Sequence, residues 1–311
     1  MSVEIDFIRP ELRPVRDMYE VRTRPRLERL DAEREEAVRR VKLVGTGTVA
    51  AAVATAVGVT ALTSWGPLVP TAWVVMLGGI LCAVILSRIK GKTKSALVND
   101  ACDAMDWRFE ANPPQPPVFE DYLSYGLVPR HDRRSFEDGI SGTFHDTDFA
   151  MTEVKLERRR KSKNGDSYQT VFRGCVMIVD FHQPFSSTTI VLRDRGWFNG
   201  KRKRDLKRVG MASPKWEKMF EAYGSDQVEA RVKLDPAFME RLMELEESVD
   251  GKNLRFGFFD SQLHVVIETG NRFEPGSMFK PLADPRRIQR LIGEFAAMCA
   301  VIDGVRRTER A

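Results

Sequence analysis

The sequence predicts an α+β protein: a transmembrane α-helical hairpin followed by a cytosolic domain with a mainly antiparallel sheet and packed helices. Three observations predict it. From Leu43 to Ser87 there are 45 consecutive residues without Asp, Glu, Lys, Arg or His. Beyond residue 117, short runs rich in β-branched and aromatic residues are joined by turn signals, in hairpins rather than βαβ units. Helical patterns with one apolar stripe fall between and after these runs. The 311 residues are room for about two domains. A charged fraction of 30% and a mean hydropathy of −0.32 average over two unlike parts.

The first part, residues 1–42, is charged and balanced, with ten Arg against ten Asp/Glu in residues 1–40. Residues 24–41 mix both signs around Leu27, Leu30 and Val38, with i,i+4 pairs Glu35/Arg39 and Glu36/Arg40. This predicts a polar helix, a solvated stalk or a short coiled-coil seam, that continues into the apolar stretch. That stretch, within residues 43–89, is twice what one bilayer crossing needs. Its middle holds Trp65-Gly66-Pro67-Leu68-Val69-Pro70, where glycine and proline end helices. Helices over about residues 43–64 and 71–89 follow, joined as an antiparallel hairpin. Arg39, Arg40 and Lys42 precede the first, and Arg88, Lys90, Lys92 and Lys94 follow the second. The positive-inside bias then places both termini in the cytoplasm. With no ionisable residue inside the span, the hairpin reads as an anchor rather than a transport path. Gly47/Ala51 and Ala54/Gly58 have small-xxx-small spacing, which suits packing against the second helix or self-association into a homo-oligomer.

Residues 90–117 read as a juxtamembrane segment, with a helix over Ser95–Glu110 stopped by Asn112-Pro113-Pro114-Gln115-Pro116-Pro117. Residues 118–303 then read as one α+β domain, with residues 304–311 as a tail. Strands are expected at Ala150–Arg158, Tyr168–Phe181, Thr188–Leu192, Gln227–Leu234, Leu254–Phe259 and Leu263–Glu268. Asn164-Gly165 turns the first pair, and Asp260-Ser261 joins the last. Helices are expected at Pro214–Ala222, Pro236–Glu247 and Pro285–Ile302, the last with Asp284 as N-cap and Pro285 at its first position.

The formal net charge of +5 lies wholly in residues 41–94, since residues 95–311 carry 34 cations against 34 acids. A nucleic-acid partner is therefore not expected, because such a domain carries its own cationic surplus. Cys82, Cys102, Cys175 and Cys299 have no CxxC spacing and read as free thiols of a reducing compartment. No Walker loop, GxGxxG, GxSxG or HExxH is present, so no catalytic residue, cofactor or metal is assigned. Ser87-Arg88-Ile89-Lys90 fits SxxK only by letters. His145-Asp146-Thr147-Asp148 reads as a solvated turn, and Glu137 and Asp138 beside Gly139 as turn chemistry. Two basic runs remain. Arg158, Arg159, Arg160, Lys161 and Lys163 surround a hairpin tip, and Lys201, Arg202, Lys203 and Arg204 follow Trp197-Phe198. Loop aromatics beside cations suit contact with anionic lipid headgroups, each Lys or Arg contributing about 1 kcal/mol near the surface.

Phe119 to Val154, with Glu137-Asp138-Gly139-Ile140-Ser141-Gly142, then Val171-Phe172-Arg173-Gly174, resembles the bacterial family catalogued as domain of unknown function 3137. Ser213-Pro214 through Phe220, Asp226 to Arg231 and Pro236-Ala237-Phe238 look like its C-terminal half. The resemblance implies a bacterial membrane protein with two helices ahead of a cytosolic domain and no assigned activity. The expected function is a cytoplasmic-membrane protein whose anchored domain binds a partner protein or anionic headgroups. The alternative is an enzyme acting on a membrane-proximal or lipid substrate, marked by a deep pocket holding a carboxylate with raised pKa beside His131, His145, His182 or His264.

Overall fold

The computed structural model describes residues 9–62, 68–162, 165–180, 185–194, 206–248 and 252–309. The chain divides into two compact units, Met1–Ala104 with Glu274–Ile292, and Met105–Phe273 with Gly293–Ala311. The segment 274–292 thus joins the helical unit rather than the sheet, and residues 105–117 join the sheet rather than a separate linker.

In the first unit a short helix α1 (Arg13–Met18) leads through a π-helical turn into α2 (Arg24–Leu62), and α3 (Leu68–Ala104) runs back along it. The charged stalk and the first apolar helix are one rod, as the absence of helix breakers between them predicts. At 1.5 Å per residue α2 is about 58 Å long, well beyond the ~30 Å of a hydrocarbon core. The expected break between an apolar helix ending near residue 89 and a second helix from Ser95 does not occur: α3 is unbroken to Ala104. Two helices are long and apolar enough to cross a membrane, and no residue of either one's most apolar window is buried. The loop carrying Trp65-Gly66-Pro67 lies outside the described residues.

The rods touch where Gly78 lets Thr48 approach; a Cβ there would lie 2.1 Å from the threonine hydroxyl. Gly47, by contrast, meets open space, and Ala51 and Ala54 are exposed. The small-residue spacing therefore does not serve contact within the chain. At the polar end Asp100 is fully buried and accepts from Thr23 Oγ1 at 2.9 Å, with Arg22 and Arg26 at 3.4 and 3.5 Å. Asp31 accepts from Arg34 Nε at 2.6 Å and from the Leu282 amide at 2.9 Å, which fastens the 274–292 segment to α2.

The second unit holds one antiparallel sheet with strand order β1-β2-β3-β4-β9-β8-β5-β7-β6 among the described residues. Its strands are β1 (Arg108–Glu110), β2 (Arg133–Phe144), β3 (Thr147–Arg160), β4 (Ser167–Asp180), β5 (Thr189–Arg193), β6 (Lys207–Val209), β7 (Phe220–Gly224), β8 (Lys252–Phe259) and β9 (Gln262–Glu268). The helices are α4 (Phe119–Ser124), α5 (Pro214–Met219), α6 (Gln227–Lys233), α7 (Pro236–Ser248) and α8 (Pro285–Glu309), whose first eight residues belong to the helical unit. Phe119 and Tyr122 of α4 pack with Leu127, Val154, Leu156, Phe172 and Val266. Complete burial of such side chains contributes about 1.5–3 kcal/mol each.

Turn chemistry explains the hairpins. His145-Asp146 and Asp260-Ser261 are two-residue turns with all four φ between 48° and 63°. That is the twist that matches right-handed strands. Glu137-Asp138-Gly139 is not a turn. It is a bulge inside β2, with Asp138 at φ 51° and the β3 register shifting across it. Strand β2 was missed for this reason, since a bulge breaks the period-2 pattern.

The strand expected at Gln227–Leu234 is helix α6. Asp226 caps it, its carboxylate accepting from the Val228 and Glu229 amides at 2.7 and 3.0 Å. The alternating Val228 and Val232 are 71% and 70% exposed, so their spacing marks no sheet face. The helix expected over Pro214–Ala222 ends at Met219, beyond which Phe220 turns extended and β7 pairs with β5. Helix α8 starts as expected, the Arg286 amide donating to Asp284 Oδ1 at 3.1 Å.

Candidate functional site

The site is built where the β3–β4 hairpin meets the start of β2. Side chains alternate along a strand, so Arg158 and Arg160 share one face at the end of β3 and Arg159 takes the other. The Arg159 amide donates to Asp132 Oδ2 at 2.7 Å, and its guanidinium pairs with Asp166. Arg133 stands opposite Glu157 in the ladder, and its guanidinium lies 3.3 Å from the Tyr168 ring centroid. This is a cation–π stack that keeps the charge at the surface. Arg134 pairs with Glu120 of α4, and that hydrogen bond holds the Glu120 carboxyl below the usual carboxylate range.

Beside these residues Glu120, Leu123, Ser124, Arg130, His131, Asp132 and Arg158 line a polar cleft of ≈ 570 Å³. His131 Nδ1 lies 3.1 Å from the Pro129 carbonyl. A carbonyl oxygen only accepts, so the imidazole proton sits on Nδ1. Arg130, Arg158, Arg160 and Lys161 are exposed and make no ion pair or side-chain hydrogen bond among the described residues. The arrangement is thus half compensated. Arg133, Arg134 and Arg159 are engaged, while four cations around the cleft mouth and hairpin end are available to an anion.

Of the basic residues singled out in the sequence, Arg158, Arg159, Arg160 and Lys161 come together here. Lys163, Trp197, Phe198, Lys201, Arg202, Lys203 and Arg204 lie outside the described residues. His131 was singled out only as a possible acid–base residue, and Arg130 and Arg133 were missed, although the run Pro129-Arg130-His131-Asp132-Arg133-Arg134 was visible. Its proximity to the hairpin depends on β2, which the bulge concealed.

Among the described residues the histidine with a hydrogen bond to a carboxylate is His145, which does not line the cleft. His264 is enclosed: its ring stacks on Phe259 at 3.8 Å, and Tyr122 Oη lies 3.0 Å from Nδ1. Nε2 donates to the Phe259 carbonyl at 3.2 Å, so Nδ1 is the acceptor and Tyr122 the donor. Burial pushes the His264 pKa down to about 4, and burial likewise pushes the Tyr122 hydroxyl well above its usual range. This is a satisfied core histidine. His145 Nδ1 lies 3.0 Å from Asp303, and His182 lies outside the described residues. Glu246 has its pKa raised by burial, but its neighbour is Arg193 at 2.5 Å. No cluster of three His, Cys, Asp or Glu able to hold a metal exists among the described residues. The four cysteines are free, and burial pushes Cys175 up to about 12.

A second buried ionic feature was not legible in the sequence. Glu153 of β3 accepts from the Arg272 and Phe273 amides at 2.8 and 3.2 Å, and Arg272 pairs with Glu294 of α8. Met151, Cys175, Met177 and Ile267 line a pocket of ≈ 20 Å³ beside them. That is about one water, so it is a packing defect rather than a substrate site.

Residues 170–307 match the family model described as "Protein of unknown function (DUF3137)". Over that segment the chain is similar to the DUF3137 family. The match contains Val171–Gly174, Ser213–Phe220, Asp226–Arg231 and Pro236–Phe238, which carried the resemblance, while Phe119–Val154 precedes it. Arg130 and Arg158 also precede the matched segment, so the cleft is built from residues ahead of it. No curated protein matches the chain. Among solved structures, the crystal structure of the mycobacterial trehalose monomycolate transport factor A, TtfA, aligns at 8% identity with a TM-score of 0.35. The alignment covers 67% of this chain and 94% of that one. A likeness at this level carries no argument about this chain.

Proposed function

We propose that the chain is a bacterial cytoplasmic-membrane protein whose helical hairpin, with both termini cytoplasmic, anchors a sheet domain that binds anionic headgroups through residues ahead of the DUF3137 match. The arrangement of charge carries the reading. Arg130, Arg158, Arg160 and Lys161 stand exposed at one end of the sheet without acidic partners among the described residues. Tethering supports it, because a domain held near a surface meets headgroups at high effective concentration and needs only weak attraction to orient. Four cations at about 1 kcal/mol each are sufficient for that at low salt, and the attraction weakens as the Debye length shortens.

The test is vesicle co-sedimentation of the full chain reconstituted in nanodiscs of neutral lipid, against vesicles with and without phosphatidylglycerol. The reading expects sedimentation only with the anionic vesicles, falling with salt, and lost in the R158E/R160E/K161E variant. Equal sedimentation of variant and parent would refute the assignment of this surface.

A further inference from the structure

Within the helical unit α2 and α3 enclose a groove, lined by Glu33, Glu36 and Arg40 on one helix and Leu81, Val84, Arg88 and Lys92 on the other, with a volume of ≈ 640 Å³. Both sets recur at helical spacing, so each is one continuous face. The groove changes chemistry along its length. Leu81 and Val84 are 49% and 46% exposed and belong to the apolar span. One turn on from Val84 stands Arg88, and one turn further Lys92. Arg40 reaches in from α2 and is paired with Glu36, and Lys92 Nζ lies 2.6 Å from Glu33. Arg88 is exposed and has no ion pair or hydrogen bond among the described residues. The lining holds one more cation than acids, and the excess sits one turn above an open apolar wall.

We propose that this groove seats one anionic glycerophospholipid, its acyl chain along Leu81, Val84 and Ile85 and its phosphate on Arg88, with Arg40 on the opposite wall. The inference rests on the membrane-spanning reading of α2 and α3 and is independent of the sheet's basic end. Charge complementarity selects the occupant. An apolar wall inside a bilayer is filled by a lipid tail in any case. A single uncompensated guanidinium at the headgroup level then favours a headgroup with one net negative charge over a zwitterion.

The test is native mass spectrometry of the full chain in detergent, with equimolar phosphatidylglycerol and phosphatidylcholine of identical chains. The first bound lipid is expected to be phosphatidylglycerol by roughly fivefold, the equilibrium equivalent of about 1 kcal/mol for one cation near an anionic headgroup. Arg88→Gln should bring the ratio close to one, and Arg88→Lys should retain most of the preference. Val84→Trp, which fills the apolar wall, should reduce binding of the first lipid of either kind. Absence of a preference in the parent, or a preference that survives Arg88→Gln, overturns the proposal. Loss of the preference in R158E/R160E/K161E but not in Arg88→Gln would overturn it while supporting the headgroup site on the sheet. Retention in R158E/R160E/K161E together with loss in Arg88→Gln supports the groove alone.

Discussion

Replacing Tyr122 by Phe removes one oxygen from the centre of the sheet domain and tests whether its buried polar cluster is read correctly. Tyr122 and His264 are both fully buried. The imidazole proton is committed to the Phe259 carbonyl at 3.2 Å, so Nδ1 can only accept, and Tyr122 at 3.0 Å is its donor. Without the hydroxyl that acceptor is stranded, which costs about 1–3 kcal/mol. The ring remains, so the aromatic packing on Phe259 and Phe119 is unchanged and no cavity term adds. Hydrogen exchange of peptides covering β9, followed by mass spectrometry on the full chain in detergent, reads this directly. Protection should fall by about 5- to 150-fold, the conversion of that energy range. Unchanged protection in β9 would refute the assigned tautomer and the donor role of Tyr122. The same cluster gives a pH dependence. His264 titrates near 4 when folded, against 6.5 for the unfolded group. The unfolded state therefore binds the extra proton between those values, and stability falls as pH drops from about 6.5 to 4, by at most ~3 kcal/mol. Flat β9 protection across that window would contradict the burial of His264.

Three further substitutions probe other joints. Asp226→Ala deletes the cap of α6 and should lower stability by about 1 kcal/mol, seen as faster exchange at the Val228 and Glu229 amides. Gly174→Ala should prevent normal β4–β9 pairing, since the added Cβ would lie 1.9 Å from the Ile267 carbonyl oxygen; loss of folded protein on expression measures it, and a stable variant with native exchange would contradict the register. Asp100→Leu removes the acceptor for Thr23 and the counter-charge for Arg22 and Arg26, and should loosen α1 and the start of α2. Faster proteolysis after Arg22 and Arg26 checks this.

What was legible in the sequence was whatever local chemistry decides. The apolar stretch, its basic flanks, the Asp284-Pro285 start of α8 and the Asp260-Ser261 turn each act within a few residues. The concealed features are those that depend on distant partners. Strand β2 carries a bulge at Asp138, and only its pairing with β3 makes the stretch a strand. Val228 and Val232 imitate a strand face, yet they point to solvent because Asp226 caps a helix there. Half of the basic cluster was visible as Arg158 to Lys161. Arg130 and His131 join it through strand pairing, which no short-range pattern encodes. The buried Glu153 that takes the Arg272 amide joins residues 119 positions apart, and composition holds no trace of it.

All of the functional reasoning depends on α2 and α3 lying in lipid. Alkaline carbonate treatment of native membranes tests this most directly. The full chain should stay in the pellet, with a cysteine-specific reagent that cannot cross membranes failing to label an Arg306→Cys variant from the outer side of intact cells. Release of the full chain into the supernatant, or outer-side labelling at residue 306, would contradict the anchored, inward-facing arrangement.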